Sequence, residues 1–259
     1  MPALSSIFEM MTLKGRRPSL PPGLRVYVVG DVHGRLDLLN ELLLLIEADA
    51  ADHKAEKVQY VFLGDYIDRG TWSRQTIDRL IEHAAQRECV FLKGNHESIA
   101  LNSLSDPAMI EQWLRLGGAE TLLSYNVAPE LLLNGKQAVA IQSAFHSALP
   151  QTHFRFFRNL RNSFSCGDFF FAHAGVKPGV DLDQQKESDL IWIRGEFLSS
   201  TDDFGKIVVH GHTPSLDIEV RPNRINIDTG AFATGRLSCL VIQDQTLSAI
   251  QTGAKKPER

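Results

Sequence analysis

Val58-Gln59-Tyr60-Val61-Phe62-Leu63-Gly64-Asp65-Tyr66-Ile67-Asp68-Arg69-Gly70 is the stretch on which the fold turns. Its first half is short, β-rich and apolar, and a glycine ends it, which is the pattern of a buried strand. Four other runs have the same form. Val26 to Val29 leads into Gly30-Asp31-Val32-His33-Gly34, and Cys89 to Leu92 into Gly94-Asn95-His96-Glu97. Phe169 to Ala172 leads into His173-Ala174-Gly175, and Ile207 to Val209 into His210-Gly211-His212-Thr213-Pro214. Helical spacings separate the first three runs: Leu36, Leu39, Leu43 and Ile46, then Ile77, Leu80, Ile81 and Ala84. Strands alternating with helices predict an α/β fold.

The strand ends carry the chemistry. In open α/β sheets, ligands bind outside the carboxyl ends of the strands. Here each of the five endings brings a metal-ligand residue type to that edge. A single Gly-Asp pair is usually a turn, and a lone histidine is usually a hydrogen-bonded residue. Five such endings in one chain, supplying carboxylates, an asparagine and histidines, point instead to a metal centre. The donors are oxygen and imidazole with no thiolate, which suits manganese, iron or zinc in a catalytic site. A carboxylate can bridge two such ions about 3.5–4 Å apart.

The blocks GDVHG, GDYIDRG, GNHE, HAG and HGHTP, which run from Gly30 to Pro214, resemble those of the metallophosphoesterase superfamily. They are most similar to the phosphoprotein phosphatases of bacterial type, the family of the serine/threonine protein phosphatases. The resemblance implies a calcineurin-like metallophosphoesterase fold: two packed, mixed β-sheets flanked by helices, with a helical insertion. It implies two divalent metal ions, manganese first, with iron or zinc as alternatives. By similarity Asp31 and His33 bind the first ion, Asp65 bridges, and Asn95, His173 and His212 bind the second. His210 is a candidate for the surrounding shell. His96 is the implied general acid, oriented by Asp68, with Arg69, Arg194 and Asn95 on the substrate phosphate. Glu97 reads as structural, pairing with or capping nearby backbone.

The implied reaction is hydrolysis of phosphate monoesters by a hydroxide shared between the ions. Its expected substrates are phosphoserine, phosphothreonine or phosphotyrosine in proteins, or a small phosphoester. The alternative on the same fold is a diadenosine tetraphosphate hydrolase. Such enzymes typically have Ala where Asp68 stands and Asp where Glu97 stands, so both residues favour the monoesterase. A catalytically inactive phosphoprotein-binding regulator is the alternative of another class, but no ligand or acid of the pattern is missing. Arg35 and Lys93 depart from the eukaryotic members, which usually have Gln and Arg there.

Composition sets outer bounds. The chain has 259 residues, a net charge of −4 and no basic run, so nucleic-acid binding has no electrostatic support. The three cysteines, Cys89, Cys166 and Cys239, give no disulfide framework. Leu36 to Ile46, the longest apolar stretch, is too short for a bilayer, and no secretory signal precedes Glu9. No membrane partner and a cytoplasmic location are therefore expected. Residues 1–24 read as a flexible leader, 25–259 as one domain, and 98–165 as an insertion covering the site without a core of its own. Leu237 to Gln243 and Leu247 to Gln251 predict a hairpin across Asp244 and Gln245.

Overall fold

Alternate residues of a strand point to opposite faces, and here both faces are apolar. In β1 (Leu24–Val29), Tyr27 and Val29 enter one core while Val26 and Val28 enter another. β2 (Lys57–Phe62) repeats this, with Tyr60 and Phe62 on the first side and Val61 on the second. A strand apolar on both faces must be covered on both, and it is. The computed structural model describes residues 13, 15–53, 55–133 and 137–253.

The first sheet also holds β3 (Cys89–Phe91), and later in the chain β9 (Ser238–Gln243) and β10 (Thr246–Gln251), in the order β10-β9-β1-β2-β3. β1, β2 and β3 are parallel, while β9 runs antiparallel to β1 and β10. The second sheet comprises β4 (Ser163–Cys166), β5 (Phe169–Ala172), β6 (Ile207–His210), β7 (Glu219–Val220) and β8 (Arg224–Asn226), in the order β4-β5-β6-β8-β7. Phe169, Phe171, Ile207, Val209 and Ile225 of that sheet meet Val26, Val28, Val61 and Leu240 of the first in one apolar layer.

Helices close the outer faces. α1 (Leu36–Asp52) and α2 (Ser73–Ala84) cover the first sheet. The buried face of α2 includes Thr76, Ile77, Leu80 and His83. It is turned slightly from the expected Ile77, Leu80, Ile81 and Ala84. The reason is His83, whose ring packs edge-on against Tyr60 at 4.7 Å between centroids and fills space that Ala84 could not. Burial pushes His83 down to about 4. The unfolded chain takes that proton near pH 6.5, so this residue's contribution to stability is complete above about pH 6.5 and is lost as pH falls toward 4. Urea midpoints measured between pH 7.5 and 4.5 should fall less steeply in His83→Phe than in the parent.

α3 (Asn95–Ser103) follows β3. Then come α4 (Met109–Arg115), α5 (Gly118–Ser124), α6 (Pro129–Leu133), α7 (Ala138–Ala148) and α8 (Gln151–Arg158). Trp113, Leu122, Tyr125, Ile141, Phe145 and Phe157 from these helices join the core beneath the first sheet. His153 ties α8 to α2, accepting or donating at 2.8 Å to Tyr125 Oη and at 2.8 Å to Asp78. The stretch 98–165 runs into β4, which pairs antiparallel with β5 as the edge of the second sheet. On the far face of that sheet lie α9 (Glu187–Trp192) and α10 (Gly195–Leu198), packed through Leu190, Ile191 and Phe197 against Phe170 and Val208. α11 (Ala231–Thr234) follows β8.

Part of the expected leader lies within the described residues and makes specific contacts. Leu20 is buried and donates its amide to Asp244 O, and Ser19 N and Arg16 both bond to the Asp168 carboxylate. β1 starts at Leu24. Pro18, Pro21 and Pro22 break any regular element here, but an irregular segment can still dock by its backbone and one leucine. Residues 1–12 lie outside the described residues. The expected hairpin forms as β9 and β10, with Asp244 at φ 49°.

Candidate metal centre

The parallel strands β1, β2, β3, β5 and β6 deliver their following loops to one edge, where both sheets contribute. Asp31, His33, Asp65, Asn95, His96, His173 and His212 are all at most 5% exposed. A direct bond crosses between the sheets: the His212 amide donates to Asp31 Oδ2 at 2.9 Å. Next to it, Gly211 N donates to His173 O at 2.8 Å. Of seven non-glycine residues with positive φ among the described ones, five belong here: His33, Asp65, Asp68, Arg69 and His212. Such backbone costs about 1–3 kcal/mol per residue and persists where surroundings enforce it. A methyl group on Gly94 would collide with Asp65 Oδ1, and one on Gly211 with Asp31 Oδ1. Gly211→Ala is therefore expected to displace Asp31 and reduce metal uptake, which titration with manganese would register.

Asp65 is the centre. Its ligand oxygen groups with His33 and His96 on one side, and with His173 and His212 on the other. His33 Nε2 lies 3.5 Å from Asp65 Oδ2 and His173 Nε2 lies 3.4 Å away. Each of these histidines faces a backbone carbonyl with its other nitrogen, His33 Nδ1 toward Ile67 O and His173 Nδ1 toward Leu63 O, both at 3.0 Å. A proton on Nδ1 in each case leaves Nε2 turned to the site, the arrangement of ligating histidines. Asn95 Oδ1 sits 3.0 Å from His173 Nε2.

Electrostatics follow from burying this many charges. Burial opposes ionisation of Asp65, but His173, His96 and His33 hold it well below the ordinary carboxylate range. Burial pushes His33 down to about 3 and, with His173 beside it, His212 down to about 2. Burial would also lower His173, yet Asp65, Asp31 and Glu97 raise it to about 10. Asp31 is raised by burial and by Asp228, and Asp228 itself is pushed up to about 6 by burial. A pocket with this much uncompensated negative potential favours a cation.

The donors fit such a cation. Asp31 Oδ1 is buried and without a hydrogen-bond partner, and His33 and His173 turn Nε2 toward Asp65 while their Nδ1 atoms face backbone carbonyls. The chemistry of the set, imidazole nitrogen and carboxylate oxygen, suits two ions sharing Asp65. In atomic distance His96 completes the first group, whereas Asp31 accepts from the His212 amide. His210 belongs to neither group. Its ring packs edge-on against Phe197 at 5.0 Å between centroids, and burial pushes it down to about 3.

His96 Nδ1 donates to Asp68 Oδ2 at 2.6 Å. Sequence reasoning missed what holds Asp68. Trp113 Nε1 donates to Asp68 Oδ2 at 2.9 Å and Thr121 Oγ1 to Oδ1 at 2.5 Å, both from helices of the 98–165 stretch. Gly117 O accepts from Arg69 N at 3.0 Å. Thr121→Val is expected to cost about 1–3 kcal/mol, since it removes a donor from a buried carboxylate, and urea unfolding would measure it. Arg69 donates to His33 Nε2 at 2.9 Å and approaches His96 Nε2 at 3.3 Å, and Arg194 Nε donates to His212 Nε2 at 3.0 Å. Glu97 accepts from four backbone amides, those of Asp65, Tyr66, Ile67 and Gly94, at 2.8–3.4 Å. Asp228 was also missed, although Ile227-Asp228-Thr229-Gly230 is a sixth strand ending of the same kind.

A family model described as calcineurin-like phosphoesterase matches residues 24–235, and the chain belongs to that family. It is a phosphoester hydrolase. It is 25% identical over 233 residues to the asymmetrical bis(5'-nucleosyl)-tetraphosphatase PrpE of Oceanobacillus iheyensis, spanning 83% of this chain and 87% of the relative. A candidate diadenosine tetraphosphatase of known crystal structure shares the fold, with a TM-score of 0.61, 20% identity, and coverage of 91% of this chain and 98% of the other. So does a mutant of a cold-active protein tyrosine phosphatase, with a TM-score of 0.60, 16% identity, and coverage of 90% and 83%. The superfamily expected from the sequence is thus the family found. The narrower likeness to serine/threonine protein phosphatases gives way to relatives that act on dinucleoside tetraphosphates. Among the described residues no helix is long and apolar enough to cross a membrane.

Proposed function

We propose that this enzyme hydrolyses dinucleoside polyphosphates, with diadenosine tetraphosphate as the model substrate, cutting it into two unequal nucleotides. The observation that carries this reading is the similarity to the asymmetrical tetraphosphatase over most of both chains. The expectation of a monoesterase rested partly on Glu97, and that support falls away. Glu97 accepts from four backbone amides, so its length serves the loop.

Asp31, His33, Asp65, Asn95, His173 and His212 would hold two divalent ions, manganese first, with iron or zinc as alternatives. Bound there, they would neutralise phosphoryl charge and acidify a water. The chain's own groups do the rest. Arg69 and Arg194 present guanidinium donors to phosphoryl oxygens, the geometry best matched to phosphate. Asn95 adds a side-chain amide. His96 holds a proton at Nε2 for the leaving oxygen, and Asp68 fixes the ring by accepting from Nδ1.

That buried pair supports one second reading, a phosphatase for phosphoserine, phosphothreonine or phosphotyrosine in proteins. An alkoxide leaving group needs a proton more than a nucleotide phosphate does. Metal-stripped protein resupplied with manganese would be assayed on diadenosine tetraphosphate, p-nitrophenyl phosphate and the three phosphopeptides. Higher kcat/KM on the dinucleotide is the expected result. Higher kcat/KM on a phosphopeptide would move the conclusion to the second reading.

A further inference from the structure

We infer that Phe232 and Trp192 are nucleobase platforms, one at each end of the phosphate site. The inference rests on the dinucleotide reading and extends it to the substrate's two bases. Among the described residues three large aromatic side chains are exposed: Trp72, Trp192 and Phe232. Two of them touch the candidate ligand histidines. The Phe232 ring stands edge-on to His33 at 5.5 Å between centroids, and the Trp192 ring edge-on to His212 at 6.1 Å. They are 39% and 38% exposed, so each has surface left for a ligand.

The layout has two matching ends. At one, Phe232, Arg69 and His33 are in mutual contact, with the Arg69 guanidinium 4.6 Å over the Phe232 ring and 2.9 Å from His33. At the other, Trp192 and Arg194 both touch His212. Asp65 joins the two histidine groups. The order is ring, arginine, histidine, shared carboxylate, histidine, arginine, ring. A dinucleoside polyphosphate has the same order of needs, base, phosphates, base, whereas a phosphorylated side chain has use for one end.

A charged side chain tethers the helix that carries each ring. Arg35 donates to Ala231 O at 3.0 Å, tethering α11 beside Phe232. Lys93 pairs with Glu187 at 3.1 Å, tethering the first turn of α9, whose last residue is Trp192. Stacking a base on an aromatic ring strengthens binding by a factor of about 5 to 150 per base.

The test compares manganese-loaded full-length enzyme with Trp192→Ala and Phe232→Ala on diadenosine tetraphosphate and on p-nitrophenyl phosphate. The ratio of kcat/KM for the two substrates should fall at least about fivefold in each alanine variant, mostly through KM for the dinucleotide. Trp192→Phe and Phe232→Tyr should restore it, which separates stacking from loss of fold. A second readout is tryptophan emission: AMP should change it in the parent, inorganic phosphate should not, and the AMP response should vanish in Trp192→Phe. If the parent prefers the dinucleotide and both alanine variants keep the full ratio, the platforms are wrong and the substrate reading stands. If the parent shows no such preference, the substrate reading fails and takes the platforms with it.

Discussion

Asp65→Asn is expected to abolish measurable turnover, a loss of at least about 10³-fold. Losing an outer partner of a ligand costs about 10–100-fold, and Asp65 is the oxygen donor shared by both histidine groups. The variant removes a charge that the neighbouring histidines keep ionised, against the pull of burial. Without it, the field that raises His173 also weakens, and so does the repulsion that raises Asp31 and Glu97. Bound manganese, measured by atomic spectroscopy after gel filtration, should fall from two equivalents toward none. Retention of most of the activity would mean that Asp65 bridges nothing.

His96→Asn is the second large effect. Turnover on an alkyl phosphate should drop roughly 10²–10⁴-fold, the usual range for a general acid. Manganese content should stay near two equivalents, because the proposed ligands do not include His96. The loss should shrink for p-nitrophenyl phosphate and for the dinucleotide, whose leaving oxygens are weaker bases. An equal loss on all three would remove His96 from the acid role and leave it as a contact of the first histidine group, 3.8 Å from Asp65.

The α/β class and the edge on which the site lies were legible because strands carry their own boundaries. Val58 to Leu63 announces itself by β-rich residues and a terminal glycine, and the ligand types follow at once. β7 and β8 were not legible, being two and three residues long, too short for any period to show. Trp113 and Thr121 were invisible for a different reason. Each meets Asp68 across 45 and 53 residues of sequence, and each looks locally like one more core position on a helix. The left-handed backbone at His33, Asp65, Asp68, Arg69 and His212 has no composition signal either, since none of these is the glycine that usually marks it. Glu97 was legible as a residue that pairs with nearby backbone, and the four amides it accepts from bear that out.

Those five backbone conformations bear on how the protein would respond to selection for heat resistance. Glycine at any of them would relieve about 1–3 kcal/mol of backbone strain, but at Asp68 it would leave Trp113 Nε1 and Thr121 Oγ1 unpaired, a cost of about the same size. Each such glycine would also delete a proposed ligand, the proposed acid's partner or a proposed phosphate clamp. A library screened for melting temperature alone should therefore find little gain from glycine at these positions, and one screened for turnover should keep all five side chains and find its stability elsewhere.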